Sequence, residues 1–231
     1  MIRLSVSDLE SFRYWRANED STLADLVARL TKKDPPTPQM EAGRAFAKLM
    51  EHTGNVELDH ASVDGWTFRF AVDATFALPS TRELKAEDVV IQTPSGPVTL
   101  VAMADAVGGL SVRDAKLTES FDAERYLDSL QWRSYLSIFG AREFVYDIFV
   151  GKYDRDPGST DESGAYTKGA IRLPPDGGVT ITEYHPLRFY AYPDMRADVE
   201  RAVCDLAEVV VTYGIPKTMA APAAEEGTIQ P

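Results

Sequence analysis

Met103-Ala-Asp105-Ala-Val-Gly-Gly-Leu-Ser-Val-Arg-Asp114-Ala-Lys116 is the stretch that decides how this chain is read. Val98-Thr-Leu-Val-Ala-Met103 before it and Leu110-Ser-Val112 within it have the apolar, β-branched character of strands. Gly108-Gly109 between them predicts a two-residue hairpin turn, because both positions can take a positive φ. In that register Val107 faces Leu110, Ala106 faces Ser111 and Asp105 faces Val112. Side chains alternate along a strand, so Asp105, Val112, Asp114 and Lys116 fall on one face of the hairpin. Two carboxylates and an amine are thereby gathered by register alone.

Working outward, the opening Leu4-Ser-Val-Ser-Asp-Leu-Glu-Ser-Phe12 reads as a helix capped by Ser5 or Ser7. A second helix spans Ser21 to Leu30, and the prolines from Pro35 to Pro38 end it. A third runs from about Gln39 to Glu51, stopped by Gly54-Asn55. Trp66 to Phe76 alternates with period two and reads as a strand, its Trp66, Phe68 and Phe70 forming a core stripe. Val89-Val-Ile-Gln92 is a further strand, followed after the hairpin by a helix from Ala123 to Phe139 and a strand from Glu143 to Val150. Asp154 to Gly164 is a loop, short strands lie near Ala170 and Val179, and Met195 to Tyr213 is a long final helix. The order predicts one α/β domain over residues 1–218, a central mixed β-sheet flanked by helices. Residues 219–231 are small, acidic and Pro-containing, the composition of a disordered tail.

The bulk numbers exclude several classes. The 231 residues carry a net charge of −12, which argues against coating nucleic acid through overall charge, so any DNA contact must rest on a local basic groove. One cysteine, Cys204, excludes a disulfide framework and a four-cysteine iron–sulfur or zinc site; in the apolar final helix it reads as a small buried residue. His52, His60 and His185 show no metal-ligand spacing. No apolar run approaches the roughly 20 residues of a membrane span, and the N-terminus lacks a signal-peptide pattern, so a cytoplasmic location is expected.

The gathered residues suit phosphodiester hydrolysis. Two carboxylates supply hard oxygen ligands for one or two Mg²⁺ ions, which activate water and offset charge on phosphorus. A lysine beside them orients or deprotonates the water, or stabilises the transition state. A solvated surface hairpin would use the same residue types, and that reading stays open on these three residues alone.

Asp105 followed by Asp114-Ala-Lys116 resembles the active-site signature of the PD-(D/E)XK nucleases. Gln131-Trp-Arg-Ser-Tyr135 is similar to the Gln-x-x-x-Tyr motif of their RecB-like exonuclease branch, and residues four apart share a helix face. The opening helix resembles the branch's Ser-x-Ser-x-Leu helix, and Gly43-Arg-Ala-Phe-Ala-Lys-Leu-Met-Glu51 resembles its first motif, Gly-x-x-x-His-x-x-x-Glu. The resemblance implies a restriction-endonuclease-like core and a Mg²⁺- or Mn²⁺-dependent deoxyribonuclease. Asp105 and Asp114 would bind metal, Lys116 would assist the water, and Gln131 and Tyr135 would order the site. It implies DNA as partner, with a recombinase or other processing protein and self-association as further partners, and no membrane.

Two departures matter. Ala47 stands where the first motif carries a metal ligand, and Glu51, one helical turn further on the same face, is the substitute expected; a solvated helix-end glutamate is the alternative. The iron–sulfur cysteines found in part of the branch are absent. If nothing replaces Ala47, the fold would serve as a catalytically reduced interaction module for a repair or defence partner; an RNA substrate is a further alternative. Arg44 and Lys48 on the first-motif helix, Arg113 beside Asp114 and Arg133 on the Gln-x-x-x-Tyr helix are candidates for gripping phosphates, or ordinary surface charge.

Overall fold

Ser5 begins the first helix with a reciprocal cap: its hydroxyl accepts from the Asp8 N–H at 3.3 Å, and the Asp8 carboxylate accepts from the Ser5 N–H at 2.8 Å. Thr22 and Asp25 repeat the device on the second helix. The computed structural model describes residues 1–52, 59–72, 81–160 and 166–217. The expected helix stop at Gly54-Asn55, residues 73–76 of the strand expected to reach Phe76, part of the loop up to Gly164 and the tail lie outside these; that strand itself ends earlier, at Phe70.

In chain order the first elements are β1 (Ile2–Ser5), α1 (Val6–Ala17), α2 (Leu23–Thr31) and α3 (Pro38–His52). Then come β2 (His60–Val63), β3 (Trp66–Phe70), β4 (Thr81–Thr93), β5 (Gly96–Gly108) and β6 (Ser111–Thr118). Next are α4 (Glu124–Leu127), α5 (Leu130–Phe139) and β7 (Glu143–Tyr153). The chain continues through the short β8 (Ser159–Thr160) and β9 (Tyr166–Thr167) to β10 (Gly178–Tyr190) and α6 (Met195–Thr212). The main sheet runs β1-β5-β6-β7-β10-β3-β2, with β4 on the other edge of β5. The β1–β5, β6–β7 and β3–β10 pairings are parallel and the others antiparallel, so the expected central mixed sheet flanked by helices is the one present.

Two cores lie against the sheet. In the larger, Leu9 and Phe12 of α1, Leu26 and Leu30 of α2, Leu136 of α5 and Val203 and Leu206 of α6 pack on Leu100, Val112, Phe144 and Ile148. The smaller joins Ala42, Phe46 and Leu49 of α3 to Trp66, Phe68, Phe149 and Val179, with Phe46 edge-on to both Phe68 and Phe149. Trp132 is core too, stacked on Phe189 with ring centres 4.7 Å apart. No helix among the described residues is long and apolar enough to cross a membrane.

Several expectations need correction. The hairpin turn is Gly109-Leu110, since Gly108 pairs with Ser111 and Ala106 with Arg113. Only Gly109 needs a positive φ (59°), the requirement of a II′ turn at its first central position. The expected continuous helix from Ala123 breaks at Ser129, whose extended ψ of 131° lets its hydroxyl accept from the Gln131 N–H and start α5. β1 precedes the first helix where no strand was expected. The strand expected near Val179 is the start of the thirteen-residue β10, which runs on to Tyr190. Near Ala170 the described residues make only an isolated Arg155–Ile171 bridge. Beyond Ile181 the outer edge of β10, Pro186 included, carries no described strand. Cys204 is half-buried rather than buried.

Candidate active site

The site lies where the sheet splits. β4 runs along one edge of β5 from Gly96 to Val107. The other edge is shared, with β1 against Val98–Val101 and β6 against Ala106, Val107 and Gly108. Along residues 102–105 that edge faces no described strand. Backbone groups opened by such a gap need partners, and two come from the candidate site itself. The Tyr135 hydroxyl donates to the Met103 carbonyl at 2.7 Å, and the Asp105 carboxylate accepts from the Ala115 N–H at 3.1 Å. One more ladder step beyond Ala106–Arg113 would set Asp105 opposite Asp114; instead the strands part, and both carboxylates line one cavity with Ala47, Met50 and Glu51 of α3.

Asp114 is buried and held from two sides. Its Oδ1 accepts from Gln131 Nε2 at 2.9 Å, and its Oδ2 lies 2.6 Å from the Lys116 ammonium. Lys116 is the ion-pair partner of this buried Oδ2, and no further donor from the described residues reaches it. Gln131 is itself fixed: its Oε1 accepts from the Tyr146 hydroxyl at 3.3 Å, and its Nε2 is 3.5 Å from the Tyr135 oxygen. Glu10 of α1 locks the start of α5, accepting from the Gln131 N–H at 2.8 Å and the Ser129 hydroxyl at 2.9 Å. A carboxylate at a helix N-terminus satisfies an otherwise unpaired donor and complements the helix dipole. The first helix thus positions the residue that positions Asp114.

The electrostatics follow from crowding negative charge out of water. Burial first, then the Asp114 charge, push the Asp105 carboxyl up to about 7, against the opposing pull of Lys116 and the Ala115 N–H; Glu51 adds a smaller push upward. Asp114 is likewise raised by burial, with Lys116 and Gln131 acting in the opposite direction. Burial works against the Lys116 charge, but Asp114, Tyr146 and Asp105 more than compensate and hold it above the usual lysine range. Lys116 is therefore an ammonium near neutrality, 6.0 Å from the Tyr146 ring centre.

Two mutually repelling carboxylates, with Glu51 on the same cavity and one ammonium beside them, form a hard-oxygen cradle with an excess of negative charge. A divalent cation fits that donor set. A third ligand is not assembled: among the described residues no three of His, Cys, Asp and Glu are placed to hold a metal. Glu51 and Ala47 do face the same cavity, as their helical spacing implied, but Glu51 does not close a three-carboxylate cluster with Asp105 and Asp114.

The basic candidates separate by what they hold. Arg113 forms a two-pronged pair with fully buried Asp147, which also accepts from the Tyr184 hydroxyl at 2.6 Å. Arg133 donates to the Ser129 and Leu127 carbonyls and to Tyr192, and stacks on Trp132. Both guanidiniums are committed within the protein. Lys48 is ion-paired with Asp64 at 2.6 Å on the exposed face of α3, and Arg44 is exposed one turn earlier. Sequence reasoning missed Glu10, Ser129, Tyr146 and Asp147. Two of these carried a signal: Ser129 is of a type that caps helices, and Asp147 is an acid inside the apolar run Phe144-Val-Tyr-Asp-Ile-Phe149, where burial demands a partner.

No protein-family model and no curated protein matches this chain. Among solved structures it is similar to SSO0001, with a TM-score of 0.48 and 12% identity, covering 95% of this chain and 89% of that one. It is also similar to LHK-Exo, an alkaline exonuclease from Laribacter hongkongensis, with a TM-score of 0.38 and 14% identity, covering 91% of this chain and 90% of that one. The same exonuclease in complex with dAMP aligns with a TM-score of 0.38 and 13% identity.

Proposed function

We propose that this protein is a metal-dependent nuclease that hydrolyses DNA phosphodiester bonds, of PD-(D/E)XK type and exonucleolytic in mode, serving DNA processing or recombination. The observation that carries the reading is the pairing of Asp105 and Asp114 at the sheet split, with Lys116 ion-paired at 2.6 Å to the buried Asp114 Oδ2. Asp105 and Asp114 would hold Mg²⁺ or Mn²⁺, and a metal so held supplies a water nucleophile at neutral pH and charge for the pentavalent phosphate. Lys116, already an ammonium, acts as a fixed cation facing charge that grows in the transition state, rather than as a base. Gln131 holds Asp114 through Oδ1, the oxygen that Lys116 does not pair with, and so fixes the carboxylate's orientation. Tyr135 keeps the split open at Met103. Arg44 and Lys48 on the outer face of α3 would meet flanking phosphates, Lys48 by exchanging its ion pair with Asp64.

The test is digestion of linear, covalently closed circular and single-stranded DNA with Mg²⁺, with Mn²⁺ and with chelator. Metal-dependent loss of linear DNA with circles spared is the expected result. A second reading, a catalytically reduced interaction module for a repair or processing partner, is favoured by Ala47 and by the absence of a preassembled third ligand among the described residues. Protein inert on every DNA form with both metals would select it.

A further inference from the structure

The cavity that holds Asp105, Asp114 and Glu51 is lined on its β4 side by Arg82. Arg82 pairs through its backbone with Ala106, the residue next to Asp105. Its Nη1 is buried and has no hydrogen-bond partner, and it forms no ion pair with any described residue. A buried guanidinium donor left unmade is costly, on the order of one to several kcal/mol, so a position that keeps one has a use for it. The other arginine lining the cavity, Arg113, already spends its fork on Asp147.

The backbone beside Arg82 is also unusual. Glu83 has a φ of 47°, a left-handed conformation that a Cβ-bearing residue other than Asn or Asp adopts at a cost of about 1 kcal/mol or more. The ladder skips it, pairing Arg82 with Ala106 and Leu84 with Ala104, so the irregularity lies at the level of Asp105. Local distortions of a strand re-aim side chains and collect beside functional sites.

We propose that Arg82 is a substrate-binding residue whose guanidinium donates to a non-bridging oxygen of the phosphodiester to be cleaved. The inference deepens the nuclease reading and rests on it. A guanidinium is permanently charged and its planar fork matches phosphate oxygens, which suits a cavity otherwise lined by three carboxylates that would repel a phosphate. Arg82 would supply positive charge on the β4 side of the cavity, as Lys116 supplies it beside Asp114 on β6.

The test uses a ligand with one phosphate, thymidylyl-(3′→5′)-thymidine, and its neutral methylphosphonate analogue. Each is titrated into the full chain in chelator and followed by NMR. Wild type is expected to prefer the charged dinucleotide. Arg82→Gln should reduce that preference about tenfold or more, the range for a charge-assisted hydrogen bond. Arg82→Lys should restore part of it, and both variants should keep the wild-type melting temperature within a few degrees. An unchanged preference in a folded Arg82→Gln protein overturns the assignment while leaving the nuclease reading intact. A wild type without preference overturns it as well, and cleavage by the same preparation then judges the nuclease reading separately.

Discussion

Replacing Asp105 by Asn should stabilise the metal-free protein while destroying its function. The carboxyl group is pushed up to about 7 by burial and by Asp114, whereas an unfolded chain titrates it near 3.9. A group whose folded pKa is raised favours the folded state while protonated. That contribution is whole below about pH 4 and is lost as pH rises through about 7. The full interval corresponds to about 4 kcal/mol, and the partial exposure of Asp105 reduces it to roughly 2–4 kcal/mol. Asn does not titrate and can still accept from the Ala115 N–H. In chelator at pH 8, Asp105→Asn should therefore melt roughly 5–10 °C above wild type, given about 2–4 °C per kcal/mol for a chain of this size. At pH 4 the two should nearly coincide. Added Mn²⁺ should raise the wild-type midpoint and leave the variant unmoved, since only the wild type gains a ligand-bound folded state. The assay is calorimetry of both proteins across pH 4–8 with chelator or Mn²⁺. A difference that does not grow with pH, or a variant less stable than wild type at pH 8, would refute the reasoning.

Other perturbations separate structure from chemistry. Arg113→Ala should unfold more readily by about 3–5 kcal/mol in denaturant titrations, because it strands the fully buried Asp147 carboxylate; an effect confined to DNA affinity would contradict the pairing. Gln131→Leu should lower kcat by about tenfold or more with the fold retained, since Asp114 loses its 2.9 Å donor; steady-state cleavage with circular dichroism reads both. Glu51→Gln should raise the metal concentration giving half-maximal cleavage, because the charge facing Asp105 across the cavity is gone; an unchanged metal titration would remove Glu51 from the site.

The grouping of Asp105 with Asp114 was legible even though the turn was misplaced. Moving the turn from Gly108-Gly109 to Gly109-Leu110 shifts every cross-strand pair by two positions, and side chains repeat with period two. The split itself was not legible. It arises because β1 and β6 compete for one edge of β5, and β1 comes to that edge from far away in the chain, Ile2 pairing with Val98. Glu10 and Arg82 were invisible for the same reason: each acquires its role from a partner brought near by the fold, Gln131 in one case and Ala106 in the other. The break before α5 was written locally, in a Ser129 that can cap a helix. β10 hid behind its charges and Pro186, which a strand edge tolerates and an alternation count does not.

The most direct test of the central claim is Mn²⁺-dependent cleavage of linear duplex DNA by wild type, Asp114→Asn and Lys116→Ala, run side by side on protein shown to be folded. The account predicts cleavage by wild type that chelator abolishes, and a loss of about a hundredfold or more in each variant, the scale for removing one charge-stabilising group from such a site. Cleavage by either variant at the wild-type rate would contradict it.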